Sequence, residues 1–88
     1  MKPRELEIII KGCANHRRIE MMMLLARKTR RSLFEIADEL HINFKTASDH
    51  ARRLVVGGLV AKRHRGSTVE HSLTHRGDIV LKFLRKLE

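Results

Sequence analysis

The sequence predicts a mainly α fold with a small β-hairpin, an α+β arrangement of about five helices and a two-stranded hairpin. Apolar residues recur at helical spacing in five segments, and residues that favour helix starts precede them. Two strand-like runs flank a Gly-Ser turn. Because 88 residues bury only a modest core, we expect residues 1–88 to form one domain.

The first two predicted helices supply much of the apolar surface. Pro3 suits the first turn of a helix over residues 3–12, and Gly12 marks its end. Asn15 can cap a second helix, which is apolar on most sides and is therefore expected to be buried. The residues expected to face inward are Ile19, Met22, Met23 and Ala26, with Met21, Leu24 and Leu25 widening that face.

Two shorter helices joined by a tight turn come next. Ser32 and Glu35 match the S-x-x-E capping box of a helix over residues 33–40. Asn43 can cap the following helix, over residues 43–56, which a Gly-Gly pair ends. The residues of this helix that we expect to face inward are Ala47, Ala51 and Leu54.

A hairpin and a closing helix complete the chain. Residues 59–65 and 68–74 read as two strands around a Gly-Ser turn. Thr74 can cap a last helix over residues 75–87. Its predicted apolar face consists of Ile79, Val80, Phe83, Leu84 and Leu87.

This order of elements is that of a winged helix–turn–helix domain, in which the first helix of the pair braces the second across the DNA major groove. The sequence therefore predicts a recognition helix at 43–56 and a wing at 61–70 that contacts the backbone or minor groove. The predicted DNA-binding residues are Phe44, Lys45, Thr46, Ser48, Asp49, Arg52, Arg53, Arg63, His64, Arg65 and Ser67.

Different chemistry is expected along the recognition helix. Lys45, Thr46 and Asp49 are best placed for base edges, whereas arginines more often bind phosphate. Asp49 either accepts a hydrogen bond from a cytosine amino group or orients Arg52 or Arg53. Phe44 either covers a thymine methyl group or makes a contact within the protein.

Charge favours a polyanionic partner. The net charge is +9, and residues 45–88 hold ten basic against four acidic side chains. Trp and Tyr are absent and Phe occurs three times, so few aromatic faces are available for stacking on single-stranded bases. Double-stranded DNA is the predicted partner; a solubility charge or binding to anionic lipid are the alternatives for the charge alone.

Residues 15–74 resemble the winged-helix repressors of the ArsR and related MarR-like groups, and the step from Leu73 to Gly77 resembles small archaeal regulators. The resemblance implies a homodimeric transcriptional regulator, archaeal or bacterial, acting on near-palindromic sites. The matching residues are Arg18-Ile19, 33–40, Ser48-Asp49-His50, Leu54, Gly58-Leu59-Val60 and Ser72-Leu73-Thr74.

The sequence lacks the metal-sensing motif that is common in the family it resembles. ArsR-like sensors often have a Cys-x-Cys motif on the support helix, but residues 33–40 contain no cysteine. The six histidines show no compact spacing with carboxylates, so neither a metal site nor a cofactor is predicted. Cys13 and His16 have no third group that would complete a catalytic arrangement, so we do not expect an enzyme.

The terminal helices, 3–12 and 75–87, are more apolar than one small core requires, which predicts a homodimer; packing of both faces within the monomer is the alternative. A cytoplasmic, nucleoid-associated regulator is expected, since one cysteine suits a reducing compartment and no apolar run reaches about 18 residues. An architectural DNA-coating protein and a protein-interaction module remain as alternatives. The residues predicted to form the dimer are Leu6, Ile9, Ile10, Val80, Phe83, Leu84 and Leu87.

Overall fold

The computed structural model describes all residues, 1–88, and contains five helices and three antiparallel strands. The predicted class, five helices with a wing hairpin, is confirmed. The helices are α1 (Pro3–Cys13), α2 (His16–Arg27), α3 (Leu33–Leu40), α4 (Phe44–Val56) and α5 (His75–Arg85); the strands are β1 (Arg31–Ser32), β2 (Val60–Arg65) and β3 (Thr68–Leu73).

The sheet has a third strand that the sequence did not predict. Its order is β1-β3-β2, and β1 pairs Arg31 with His71 and Ser32 with Glu70. Residues 27–31 look like a polar connector in the sequence, because a two-residue strand is too short to show the alternation that identifies strands. The short strand ties the start of α3 to the hairpin.

Side-chain caps set the helix starts, as predicted. Asn43 Oδ1 accepts hydrogen bonds from the backbone N–H groups of Lys45 and Thr46 at 2.7 and 3.4 Å. Ser32 and Glu35 form the reciprocal capping box at 3.2 and 2.8 Å. Each cap satisfies backbone donors that have no partner inside the helix, which fixes where α3 and α4 begin. The other two predicted caps, Asn15 and Thr74, are also present.

The middle of α2 lies in the core, but the helix as a whole is less buried than predicted. Four α2 residues are at most 2% exposed, namely Met21, Met22, Leu24 and Leu25. The prediction for Ala26 is wrong, because it is exposed, and Ile19 and Met23 are only half-buried. A helix that is apolar on most sides does not reveal by spacing alone which stripe meets the core.

The terminal helices bury one face and expose another. In α1, Ile9 is 8% exposed and belongs to the core, whereas Leu6 and Ile10 are 48% and 55% exposed. In α5, Leu81 is the buried residue, at 1% exposed, and not Phe83, at 57%. The apolar face predicted for α5, which includes Phe83, therefore does not point into the core of the monomer. None of the five helices combines the length and the apolar character of a membrane-spanning segment.

Candidate nucleic-acid interface

The helix α4 is held by three small or aliphatic residues, Ala47, Ala51 and Leu54, each at most 2% exposed. Alanines permit close approach of α4 to α3 and α2, and all three positions confirm the predicted inward face. The opposite side of α4 is therefore left to solvent. The predicted DNA-contacting residues of α4 are exposed, except Ser48, which is half-buried.

The exposed face of α4 has a net positive charge, and its one acidic group lies beside an arginine. Asp49 Oδ1 is 4.0 Å from Arg52 Nη2, with both side chains about 60% exposed. Such a surface pair contributes little energy, about 0–1 kcal/mol, so the guanidinium is free to turn to another anion. Of the two roles foreseen for Asp49, this contact corresponds to the orientation of Arg52. Arg53 is exposed and forms no ion pair.

Phe44 stacks on Phe34, with ring centroids 4.5 Å apart and the planes tilted by 31°. Of the two alternatives foreseen for Phe44, the contact within the protein is present. The two rings lie where α3 and α4 begin, so the pair joins the two helices. Phe34 nevertheless remains 73% exposed and Phe44 44%, so both offer apolar surface at the edge of the interface.

The hairpin tip presents a second group of cations. Gly66 has φ +61°, a conformation that suits glycine and closes the tight turn between β2 and β3. Arg65 Nη1 lies 3.9 Å from Glu70 Oε1, a loose contact that leaves the side chain 64% exposed. The predicted wing residues, Arg63, His64, Arg65 and Ser67, are all exposed.

A cross-helix hydrogen bond behind α4 was not predicted. Arg18 Nε of α2 donates to His50 Nδ1 of α4 at 3.1 Å, and Arg18 Nη1 donates to the carbonyl oxygens of Lys11 and Gly12 at 3.0 and 3.4 Å. Arg18 thus links the last turn of α1 to the recognition helix. Helical spacing assigned Arg18 and His50 to separate elements, and only the packing of α2 against α4 brings them together.

The environment of this pair lowers both pKa values. Burial, followed by the charge of Arg18, lowers the pKa of His50, so the imidazole is neutral and can accept the hydrogen bond. Burial and the charge of Arg53 lower the pKa of Arg18.

Cys13 lies nearby in the core, where burial raises the pKa of its thiol. No group of three or more His, Cys, Asp or Glu side chains could hold a metal ion.

No family model and no curated protein sequence matches this chain. Several solved structures are similar to this chain. The homodimeric winged helix–turn–helix DNA-binding domain of a possible ArsR-family transcriptional regulator from Mycobacterium bovis is 28% identical, with a TM-score of 0.82; the match covers 96% of this chain and 77% of that one. The transcriptional regulator HlyU from Vibrio vulnificus is 26% identical, with a TM-score of 0.77, over 96% and 88% of the two chains.

A third match, the transcriptional repressor PagR of Bacillus anthracis, is 17% identical with a TM-score of 0.82 over 92% and 93% of the chains, and shows the fold alone. These neighbours are transcriptional regulators rather than enzymes. Their TM-scores of 0.77 to 0.82 over most of each chain show that they share its fold. The resemblance seen in the sequence is thereby confirmed: this chain has the winged helix–turn–helix fold and is similar to transcriptional regulators that include a possible member of the ArsR family.

Proposed function

We propose that this protein binds double-stranded DNA sequence-specifically as a homodimer and thereby regulates transcription. One observation carries the proposal: α4 buries its alanine face and exposes polar and basic side chains beside an exposed basic hairpin tip. This combination is what a helix needs in order to enter a major groove while a wing contacts the neighbouring backbone. The similar DNA-binding domain from Mycobacterium bovis supports the same partner.

The side chains divide by the part of the duplex that they reach. Lys45, Thr46 and Asp49, near the N-terminal end of α4, contact base edges. Arg52 and Arg53 lie farther along the helix and bind phosphates, which position the protein without reading sequence. The remaining proposed contacts are Phe44 and Ser48 on α4 and Arg63, His64, Arg65 and Ser67 on the wing.

The homodimer uses the apolar stripes that the monomer leaves uncovered. On α5 and in the turn that follows it, Ile79, Phe83 and Leu87 lie four residues apart and are 55–69% exposed. On α1, Leu6 and Ile10 form a similar exposed pair. Half-buried Val80 and Leu84 lie along the same helix. Ile9 leaves the predicted set because it is in the core. The homodimeric neighbour supports a second copy of this chain as the occupant.

Because chromosomal DNA is the proposed partner, we expect the protein to act at the nucleoid in the cytoplasm. Residues 1–88 act as one domain. The regulator is favoured over an architectural protein and over an interaction module because its neighbours are transcriptional regulators and repressors.

Selection of bound duplexes from a random DNA pool tests the proposal. We expect enrichment of a near-palindromic motif, because a two-fold symmetric dimer presents two copies of α4. The selected duplex should retain tight binding at about 200 mM salt, whereas a random duplex should lose affinity steeply as counterions compete. Failure to enrich any motif would favour an architectural protein, and failure to bind any duplex would favour an interaction module.

A further inference from the structure

A groove of about 210 Å³ lies where the last turn of α1 meets the last turns of α4. This volume is below the roughly 300–1,000 Å³ of small-molecule pockets, so the groove suits one small group rather than a whole ligand. Three cationic side chains line it, together with two aliphatic side chains and a glycine, and no carboxylate does. The lining residues are Ile8, Lys11, Gly12, Arg52, Arg53 and Val56.

The two helices approach each other closely at this groove, which fixes Lys11 beside the arginines. A Cβ at Gly12 would lie 3.2 Å from the carbonyl oxygen of Arg53 and 3.4 Å from Gly57 Cα, so the backbones of α1 and α4 are nearly in contact. The hydrogen bonds of Arg18 link the same turn of α1 to α4. The position of Lys11 is therefore tied to that of the recognition helix.

The cations of the groove are only weakly paired. Lys11 Nζ lies 3.3 Å from Glu7 Oε2, but both side chains are at least 60% exposed, so the pair contributes little energy and another anion can replace the carboxylate. Arg52 reaches Asp49 only at 4.0 Å, and Arg53 forms no ion pair. All three cations are thus available to an external anion.

Both helices end at the groove, and the carbonyl groups of a helix end repel anions. Arg18 Nη1 offsets this repulsion on α1, because it donates to the carbonyl oxygens of Lys11 and Gly12 at 3.0 and 3.4 Å. On α4, Arg76 Nη1 donates to the carbonyl oxygen of Gly57 at 3.4 Å. The cations therefore dominate the electrostatics of the groove.

Charge and helix length indicate what the groove holds. A second copy of the chain, meeting the same groove across a two-fold axis, would place like charges against each other. The α4 helix has 13 residues and is about 20 Å long, whereas the DNA major groove is about 12 Å wide. When the first turns of α4 lie against base edges, its last turns therefore reach the flanking phosphate backbone, and Lys11 lies beside those turns.

We propose that Lys11 of α1 and the two arginines of α4 together hold one phosphate of the DNA backbone, so that α1 belongs to the DNA interface. Arg52 and Arg53 donate to the phosphate oxygens from one side and Lys11 donates from the other. Ile8 and Val56, which are 51% and 68% exposed, offer apolar surface to the adjoining deoxyribose. This inference rests on the proposed function, and it adds a third contact to those of the recognition helix and the wing.

The salt dependence of duplex binding tests the contact. Lys11→Gln changes a side chain that is 75% exposed, so we expect the fold to be unaffected. The affinity should fall about fivefold, and the slope of log affinity against log salt should fall by about one unit, because one fewer counterion is released. The loss should be the same for the selected duplex and a random one, since a phosphate contact does not read sequence.

Lys82→Gln is the matched control. Lys82 forms an exposed ion pair with Asp78 four residues away, at 3.0 Å, as Lys11 does with Glu7. Its side chain is 71% exposed, but it does not line the groove. We expect Lys82→Gln to leave the salt slope unchanged, because the two substitutions differ only in where they remove the charge.

Neutral methylphosphonates show whether Lys11 touches the backbone directly. Each duplex of a series carries one methylphosphonate, placed symmetrically in both halves of the selected site. We expect one position at which the neutral group weakens binding by the unmodified protein and by Lys82→Gln, but has little further effect on Lys11→Gln, because that contact is already lost.

The inference is overturned if Lys11→Gln keeps the full salt slope, if Lys82→Gln lowers the slope equally, or if every methylphosphonate affects the variants alike. Arg65→Ala separates this failure from that of the proposed function: a lowered slope for Arg65→Ala with a full slope for Lys11→Gln would remove α1 from the interface and leave the function standing. If no motif were selected, the slopes on a random duplex would decide the contact. If no duplex bound at all, the proposed function and this inference would both fail.

Discussion

At the level of single residues, the two basic surfaces are expected to do different work. Lys45 lies in the first turn of α4, close to where base edges would be, and Arg65 lies at the hairpin tip. We expect Lys45→Ala to relax sequence preference at particular base pairs, by about 1–3 kcal/mol of discrimination. Arg65→Ala should weaken all duplexes alike and reduce the salt slope by about one unit.

Binding of the selected site and of single-base variants, measured for both proteins over a range of salt, checks this division. An equal loss on every duplex for both substitutions would show that α4 does not read bases.

The burial of His50 beside the charge of Arg18 makes stability depend on pH. The pKa of His50 is lower in the folded chain than in the unfolded one, so the unfolded state takes up the proton first. This stabilisation is full above about pH 6.5 and is lost as the pH falls through the lowered value. His71, whose pKa burial also lowers, adds a change of the same sign.

Urea unfolding at pH 7.5 and pH 5.5 measures this effect. The free energy of unfolding should be lower at pH 5.5, and His50→Gln should reduce the difference, because an amide oxygen accepts from Arg18 without titrating. If His50→Gln kept the full difference, the pH dependence would have to come from other groups.

At the level of elements, the start of α5 depends on one close approach. A Cβ at Gly77 would overlap the carbonyl oxygen of Leu59 and lie 2.6 Å from Leu73 Cδ1. That carbonyl already accepts the backbone N–H of Thr74 at 3.1 Å, so it cannot move without loss. We expect Gly77→Ala to lower the free energy of unfolding by about 1–3 kcal/mol, although alanine favours helices.

Gly66→Ala is the matched control, because a Cβ there meets nothing within 4 Å and only its positive φ opposes alanine. Its cost should be about 1 kcal/mol. Denaturant melts of the two variants give the comparison, and a smaller loss for Gly77→Ala than for Gly66→Ala would contradict the packing argument.

At the level of the whole molecule, we propose that the exposed stripe on α5 forms the contact between two copies of the chain. Phe83→Glu should shift the protein toward monomer in sedimentation equilibrium, because it puts a charge into the proposed contact between copies. Phe34→Glu introduces the same charge on a more exposed ring outside that contact and should leave the dimer intact. A dimer that tolerated Phe83→Glu would place the interface elsewhere.

Short-range chemistry made much of the fold predictable. The caps at Ser32 and Asn43 lie within three residues of the groups that they bind. The spacing of Ala47, Ala51 and Leu54 predicts which side of α4 faces inward. Hence the recognition helix, its exposed residues and the wing followed from the chain itself. The third strand did not, because it consists of two residues and exists only through its pairing with β3.

The sequence by itself determined the elements, their order and the polar face of α4, because caps, periodicity and turn residues act over a few positions. Tertiary structure alone decided which apolar residues remain outside: Ile9 and Leu81 turn into the core while Phe83 stays exposed. It also joined Arg18 to His50 and buried His71 in the central strand of the sheet. These outcomes depend on the angles at which distant elements pack. Residue spacing within one helix or strand cannot predict those angles, because it does not depend on the neighbouring elements.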